Sequence, residues 1–246
     1  MGFIAASVLA GVGGARATMF GGVDAGALWE SNFVGAPPGT NPLPVFMGIY
    51  SGYLGGYTGF DKDRGAWVGS VNFEADRLRQ YASLDDNAYG GSAGVFHDLG
   101  NEASVLATVG GDLLRYSNSI RDLAIYVGRI HFKEGGQTRW FGETVEYDDG
   151  QGTAAFNTYQ GYIGTVAFNW KPIKSDVVTV SVAHAVDRYD VATAGLRTSD
   201  AGSLGWLQEL GHKIYVRASL SREYVAVASG PHFYATLIGA GLGVSF

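Results

Sequence analysis

The sequence predicts an all-β fold: a closed antiparallel up-and-down transmembrane β-barrel of about 12 strands with its long loops on the external side. Three observations carry this expectation. Residues 232–246 (HFYATLIGAGLGVSF) put Tyr234, Thr236, Ile238, Ala240, Leu242, Val244 and Phe246 on one parity. Gly239, Gly241, Gly243 and Ser245 fall on the other, as in a strand with one lipid-compatible face. No stretch reaches the roughly 18 continuous apolar residues of a spanning helix, so residence in a membrane requires a closed sheet. The connections also alternate in length. Those at 61–64, 100–102, 134–137, 171–175 and 210–212 are short, whereas 32–44, 149–156 and 191–201 are long and rich in Gly, Pro, Thr or Asp. Counted back from residue 246, the long ones fall at one end, as in a barrel whose termini are both periplasmic. Two connections at that end, 83–86 and 117–120, are short.

Turn signals divide the chain into strands at 18–31, 45–60, 65–82, 87–98, 103–117, 121–133, 138–148, 157–170, 176–190, 202–209, 212–226 and 232–246. The first two flank the proline-rich 32–44. In the third, Trp67, Val71 and Phe73 share a parity that Arg77 and Arg79 continue toward the external rim beside Tyr81. These two arginines are candidates for contact with lipid headgroup phosphates, unless a bulge near Glu74 or Asp76 turns them inward. Two hairpins echo each other. Residues 94–117 (GVFHDLGNEASVLATVGGDLLRYS) and 205–229 (GWLQELGHKIYVRASLSREYVAVAS) each run strand, acidic-Leu-Gly turn, strand. Shared constraints on barrel hairpins explain two such units better than duplication, which recurs more often.

Strand 121–133 places Ala124, Tyr126, Gly128, Ile130 and Phe132 outward and Arg121, Arg129 and His131 inward. Strand 176–190 sets Val178, Val180, Val182, His184 and Val186 against Thr179, Ser181, Ala183, Ala185 and Asp187. Strand 212–226 sets Ile214, Val216, Ala218 and Leu220 against Tyr215, Arg217, Ser219, Ser221 and Glu223, with Lys213 on the same parity as the second set. An Arg or Lys on the lipid face at mid-depth costs about 2–4 kcal/mol, so the charged parity is assigned to the lumen. The final strand closes the barrel with Tyr234, Ile238, Leu242, Val244 and Phe246 toward lipid. Trp67, Trp140, Trp170, Trp206, Tyr89, Tyr126, Tyr162 and Phe246 lie near strand ends, where interfacial aromatic belts form.

Composition agrees. Hydrophobic residues make up 46% and charged residues 16%, too apolar for a disordered chain. The 38 Gly, 14 Tyr and 13 Phe beside 6 Pro and no Cys suit aromatic-rich strands with small residues between them. A formal charge of −6 and a pI near 5.3, with no basic run, exclude a nucleic-acid binder. Residues 1–17 (MGFIAASVLAGVGGARA) have a signal-like apolar core and end in Ala-Arg-Ala, a small-x-small cleavage pattern, although no Lys or Arg precedes Phe3. They read as a signal segment or, in the alternative, a first strand. The remaining residues, 18–246, form one domain.

The residues offer little catalytic chemistry. His97, His131, His184, His212 and His232 show no metal-ligand spacing, so neither a metal nor a cofactor is expected. The nearest Ser/His pairs, Ser92 with His97 and Ser181 with His184, differ in parity, and Ser104 is the other serine close to His97; a lipid-modifying enzyme is therefore the weakest reading. The inward set is more informative. Glu74, Asp76, Asp112, Arg129, His131, Asp187, Lys213, Arg217 and Glu223 project into the lumen among Gly, Ala, Ser and Thr. Such a lining suits passage of small polar solutes or ions, or else its charges pair and fill the lumen as side chains do in eight-stranded barrels. A bore of intermediate size favours a narrow pore.

The closing strand resembles that of bacterial outer-membrane β-barrels. Residues 23–38 (VDAGALWESNFVGAPP), and the cadence of 79–100 (RQYASLDDNAYGGSAGVFHDLG), look like barrels of exopolysaccharide-export and surface-protein-assembly systems. The first resemblance implies an outer-membrane location, contact with outer-membrane lipids and recognition of the closing strand by the barrel-assembly machinery. The second implies, as the alternative to a pore, a barrel subunit or anchor of an envelope complex. Its contact surface would be 32–44, with Phe33, Pro37, Pro38, Pro42 and Pro44.

Overall fold

Alternation of bulky and small or polar residues leaves most strands two unlike faces, and closure of the sheet satisfies both edges. A computed structural model describes residues 17–33, 35–60, 64–154, 157–190, 195–211, 213–228, 230 and 232–246. The expected leader lies outside the described residues apart from Ala17. The strands are β1 (Thr18–Glu30), β2 (Val45–Phe60), β3 (Gly65–Leu78), β4 (Asp86–Gly100), β5 (Ala103–Tyr116), β6 (Leu123–Gly135), β7 (Arg139–Gly152), β8 (Tyr159–Trp170), β9 (Asp176–Tyr189), β10 (Leu196–Gly211), β11 (Ile214–Val227) and β12 (Phe233–Ser245). Each pairs antiparallel with its sequence neighbours, and β12 returns to β1 to close the barrel.

The two ends of the barrel differ. Connections 31–44, 79–85, 117–122, 153–158, 190–195 and 228–232 share one rim, and the shorter 61–64, 101–102, 136–138, 171–175 and 212–213 share the other, with both ends of the closed sheet. Three boundaries depart from the sequence expectation by more than two residues, the first being that β7 runs on to Gly152, so that 149–152 are strand and not loop. β10 begins at Leu196, so much of 191–201 is strand and not loop. Arg197, Thr198, Ser199 and Asp200 pair with Asp187, Val186, Ala185 and His184 of β9, and their polar side chains concealed the alternation. The third strand likewise ends at Leu78, followed by a short 3-10 turn at Ala82–Leu84.

The echoing hairpins have a local cause. In each, the ladder shifts register just before the turn, between Asp98 and Gly100 and between Glu209 and Gly211. Gly100 (φ 77°) and Gly211 (φ 94°) take the left-handed conformation that such a bulge requires. The repeated acidic-Leu-Gly sequence is therefore bulge chemistry, not a sign of duplication.

Few residues are buried. Among the described residues the buried apolar side chains are Val45, Ala66, Ala75, Leu78, Val225 and Ala235, and no continuous dry core joins opposite walls. The outer face is apolar and exposed along its length, with Val109, Val145, Ile130, Val182, Leu204, Ile238 and Leu242 on it. Tyr50, Phe73, Tyr89, Tyr126, Tyr147, Tyr162, Tyr224 and Tyr234 ring it toward the long-connection rim, and Phe60, Trp67, Phe141, Phe168, Trp170, Trp206 and Phe246 toward the other. Trp140 is the correction to the expected belt. It pairs with Asn169 on the lumen parity, with Lys133 Nζ 5.2 Å from its ring, and Phe141 takes the outward place.

Candidate functional site: a charged lumen wall

The lumen wall is built from side chains that reach across a glycine. Arg217 of β11 reaches over Gly241 of β12 to Asp24 of β1, its Nε donating to Oδ2 at 3.1 Å and its Nη2 making a second contact to Oδ1. A Cβ at Gly241 would stand 2.9 Å from Arg217 Nε, so the missing side chain is what allows the bridge. The same device recurs on β3–β5. Asn72 Nδ2 donates to Asp112 Oδ1 at 3.1 Å directly over Gly90, where a Cβ would collide with the carboxylate. Glycines 239 and 243 of β12 make room for Ser219 and Tyr215 in like manner. The small face of the closing strand thus accommodates the large lumen residues of its neighbours.

Other wall contacts run between adjacent strands. Arg129 pairs with Glu146, directly opposite on β7. His131 Nδ1 lies 2.9 Å from Thr144 Oγ1, and the hydroxyl pairs Ser70–Ser92 (3.0 Å) and Ser181–Ser203 (2.6 Å) lie on the same inner face. These contacts follow the wall between neighbouring strands.

Charge is unevenly distributed along the axis. In the half ending at the long connections, Glu30, Glu74, Asp76, Asp86, Asp112, Asp148, Asp187 and Glu223 face inward. Among the described strand residues of that tier, Arg197 is the cation on the same face, opposite Asp187 and 3.8 Å from Glu223. Asp76 Oδ1, Asp148 Oδ1 and Glu223 Oε1 are buried without a protein hydrogen-bond donor. Carboxylate oxygens so placed are satisfied by water or by a cation.

By strand register Glu74, Asp76, Asp112, Arg129, His131, Asp187, Arg217 and Glu223 share the inner face of the sheet. Lys213 instead occupies the short turn before β11 with φ 67°, where strand parity no longer governs its side chain. Sequence reasoning missed Asp24, Glu30, Asp86, Glu146, Asp148 and Arg197. Asp24 and Glu30 share a parity with Gly22 and Gly26 and were legible, whereas Arg197 fell in a stretch read as loop. Arg77 lies on the outer parity without an intervening bulge. Its guanidinium donates to the carbonyls of Asp76 (2.8 Å) and Asp86 (2.6 Å) and to Asn87 Oδ1 (2.6 Å). Arg79 lies beyond the strand, exposed, its N–H bonded to Phe46 O.

The long-connection mouth is ordered by side chains. Asn32 is buried; its Nδ2 donates to Ala36 O (2.9 Å) and Tyr234 O (3.1 Å), and its Oδ1 accepts from Ala36 N (2.8 Å). Phe33 stacks on Tyr81 at 5.7 Å, so the aromatic residue of this loop is engaged with a neighbouring connection. Asp122, in connection 117–122, accepts from Arg115 Nη1 (2.8 Å) and from Tyr116 N (2.9 Å). The Arg115 hydrogen bond, then the Tyr116 amide, holds its carboxyl below the usual range. Because the folded pKa is depressed, this contribution is present above the unfolded value and is lost as pH falls through the folded one. The protection factor of the Tyr116 amide is therefore expected to hold at neutral pH and to fall as the Asp122 carboxyl protonates in acid. Asp122→Ala, which removes the acceptor of the Tyr116 amide, should show the lower protection factor already at pH 7.

No catalytic constellation is assembled from the Ser/His pairs of the sequence. Ser92 and Ser181 bond to other lumen serines, while His97 and His184 lie on the outer parity.

No protein-family model and no curated protein matches the sequence. Solved structures do. An outer-membrane channel from Pseudomonas putida F1 superposes with a TM-score of 0.65 at 10% identity, covering 96% of this chain and 97% of that one. The KdgM porin in complex with disordered oligogalacturonate gives 0.53 at 9% identity, covering 92% and 99%. The DcaP channel of Acinetobacter baumannii gives 0.51 at 10% identity, covering 95% and 98%. The chain therefore shares, over nearly its whole length, the closed-barrel fold of outer-membrane channels and porins.

Proposed function

We propose that this protein is an outer-membrane pore for small solutes, with a preference for cations. One observation carries the reading: an apolar outer face encloses a lumen wall whose carboxylates outnumber its cations in the half toward the long connections. Rings of Asp and Glu raise the local concentration of cations and repel anions. Bridges such as Arg217–Asp24 and Arg129–Glu146 run along the wall between nearby strands, and the scarcity of buried apolar side chains among the described residues supports a solvated bore. The channels and porins that share the fold support the same function. An acidic oligosaccharide, the ligand present with KdgM, would meet repulsion at this mouth.

In this reading the short-connection rim and both barrel termini face the periplasm, and the long connections face outward, as in bacterial barrels. The closing strand, with Tyr234, Ile238, Leu242, Val244 and Phe246 outward, is then the segment offered to the barrel-assembly machinery. The protein acts without covalent chemistry. Liposomes containing the refolded barrel are expected to swell in isosmotic pentose and to swell more slowly in trisaccharide. Equal swelling with and without the barrel would contradict an open lumen.

A further inference from the structure

The tyrosine ring of the outer face has its widest gap on β9 and β10. Tyr162 stands on one side of the gap and Tyr224 on the other, and between them His184 pairs with Asp200 across the two strands. His184 Nδ1 lies 2.7 Å from Asp200 Oδ1, and the side chains are 59% and 65% exposed on the outer face. A carboxylate only accepts, so the proton sits on Nδ1, and Nε2 is left as the ring's second hydrogen-bonding atom.

One strand further round, the Arg222 guanidinium lies 5.2 Å from the centre of the Tyr234 ring, with Thr236 Oγ1 at 3.4 Å. Gly164 stands opposite His184 and Gly202 opposite Arg222, and a Cβ at either glycine would touch nothing within 4 Å. The polar groups therefore border a shallow recess. Arg188, exposed on the outer parity of β9, adds a second guanidinium nearer the rim.

A charge on the lipid face costs about 2–4 kcal/mol at the bilayer midplane and about 0–1 near the interface, so the height of the tyrosine ring is where such groups persist and where headgroups are in reach. Two guanidiniums outnumber the single carboxylate, and the His184 imidazole adds a second kind of hydrogen-bonding nitrogen. The geometry points to a site on the outer face of β9–β11 that binds the phosphate groups of an external-leaflet glycolipid. The site rests on the orientation given above, with the long connections outside.

The test uses the full refolded barrel in micelles, titrated separately with bisphosphorylated lipid A, dephosphorylated lipid A and phosphatidylglycerol. Binding is read by native mass spectrometry and by the temperature at which the barrel loses its heat-modifiable gel mobility. Bisphosphorylated lipid A is expected to bind and to raise that temperature, and Arg222→Ala with His184→Ala to weaken binding about tenfold to a hundredfold. Arg222→Lys, which keeps the charge but loses the planar fork, should fall between. Unchanged mobility of the variants without lipid shows that they fold, and unchanged conductance keeps this site separate from the pore. Equal binding of the dephosphorylated lipid, a preference for phosphatidylglycerol, or a dimer of the barrel that Arg222→Ala dissolves would each overturn the assignment.

Discussion

Replacing Glu74 by Gln and Asp76 and Asp86 by Asn is expected to lower the cation-over-anion permeability ratio of the channel on the order of threefold to tenfold at 0.1 M salt. The three carboxylates lie on adjacent strands, Asp76 opposite Asp86 and Glu74 one inward position below Asp76. Each substitution removes a charge at nearly constant volume, so bore and conductance at high salt should change little. The effect should shrink as salt rises, because the Debye length falls from about 10 Å at 0.1 M to about 3 Å at 1 M. An unchanged ratio at low salt would mean that ions do not pass this tier. Arg197→Ala, which removes the cation facing the same tier, is expected to shift the ratio the other way.

The largest effect on stability is expected at a lumen-facing glycine. Gly94 of β4 lies between Val68 and Thr108, and a Cβ there would collide with the carbonyl oxygen of Ala107 and stand 2.9 Å from Thr108 Cα. Backbone cannot swing aside as a side-chain tip can. Gly94→Val should therefore destabilise the barrel by about 3 kcal/mol or more, or prevent β4 and β5 from pairing in register. Gly128 of β6 is the control. It lies on the outer face with nothing within 4 Å of its Cβ, so Gly128→Val adds apolar surface toward lipid and should leave urea stability in vesicles unchanged or higher. Equal loss in both variants would show that strand propensity, not close approach across the lumen wall, governs these positions.

The architecture was legible because a barrel writes it twice, in side-chain parity and in connection length. Val178, Val180 and Val182 against Thr179, Ser181 and Ala183 define both faces of β9 without reference to any other strand. Polar outer-face residues broke that signal. Asp200 and Thr198 sit where tails or tyrosines are expected, and their polarity made the start of β10 read as loop. Trp140 misled for a related reason: an aromatic near a strand end is usually a belt residue, and only the parity it shares with Glu146 and Asp148 of β7 shows it turned inward. The site was harder to read than the fold. Parity tells which residues face the lumen, but not that Arg217 meets Asp24, which is far from it in sequence and is reached over a glycine of a third strand. Nor does it tell where along the axis the charges fall. Glu30, Asp86 and Asp187 come from strands running in opposite directions, and only their common register shows that they form one acidic mouth.

The zero-current potential of the wild-type channel in a tenfold potassium chloride gradient at low salt decides whether the barrel holds a solvated lumen with an acidic mouth. Discrete single-channel steps and a potential displaced toward the potassium equilibrium value are expected. A potential displaced toward chloride, or a folded and heat-modifiable barrel that passes no current, would contradict such a lumen.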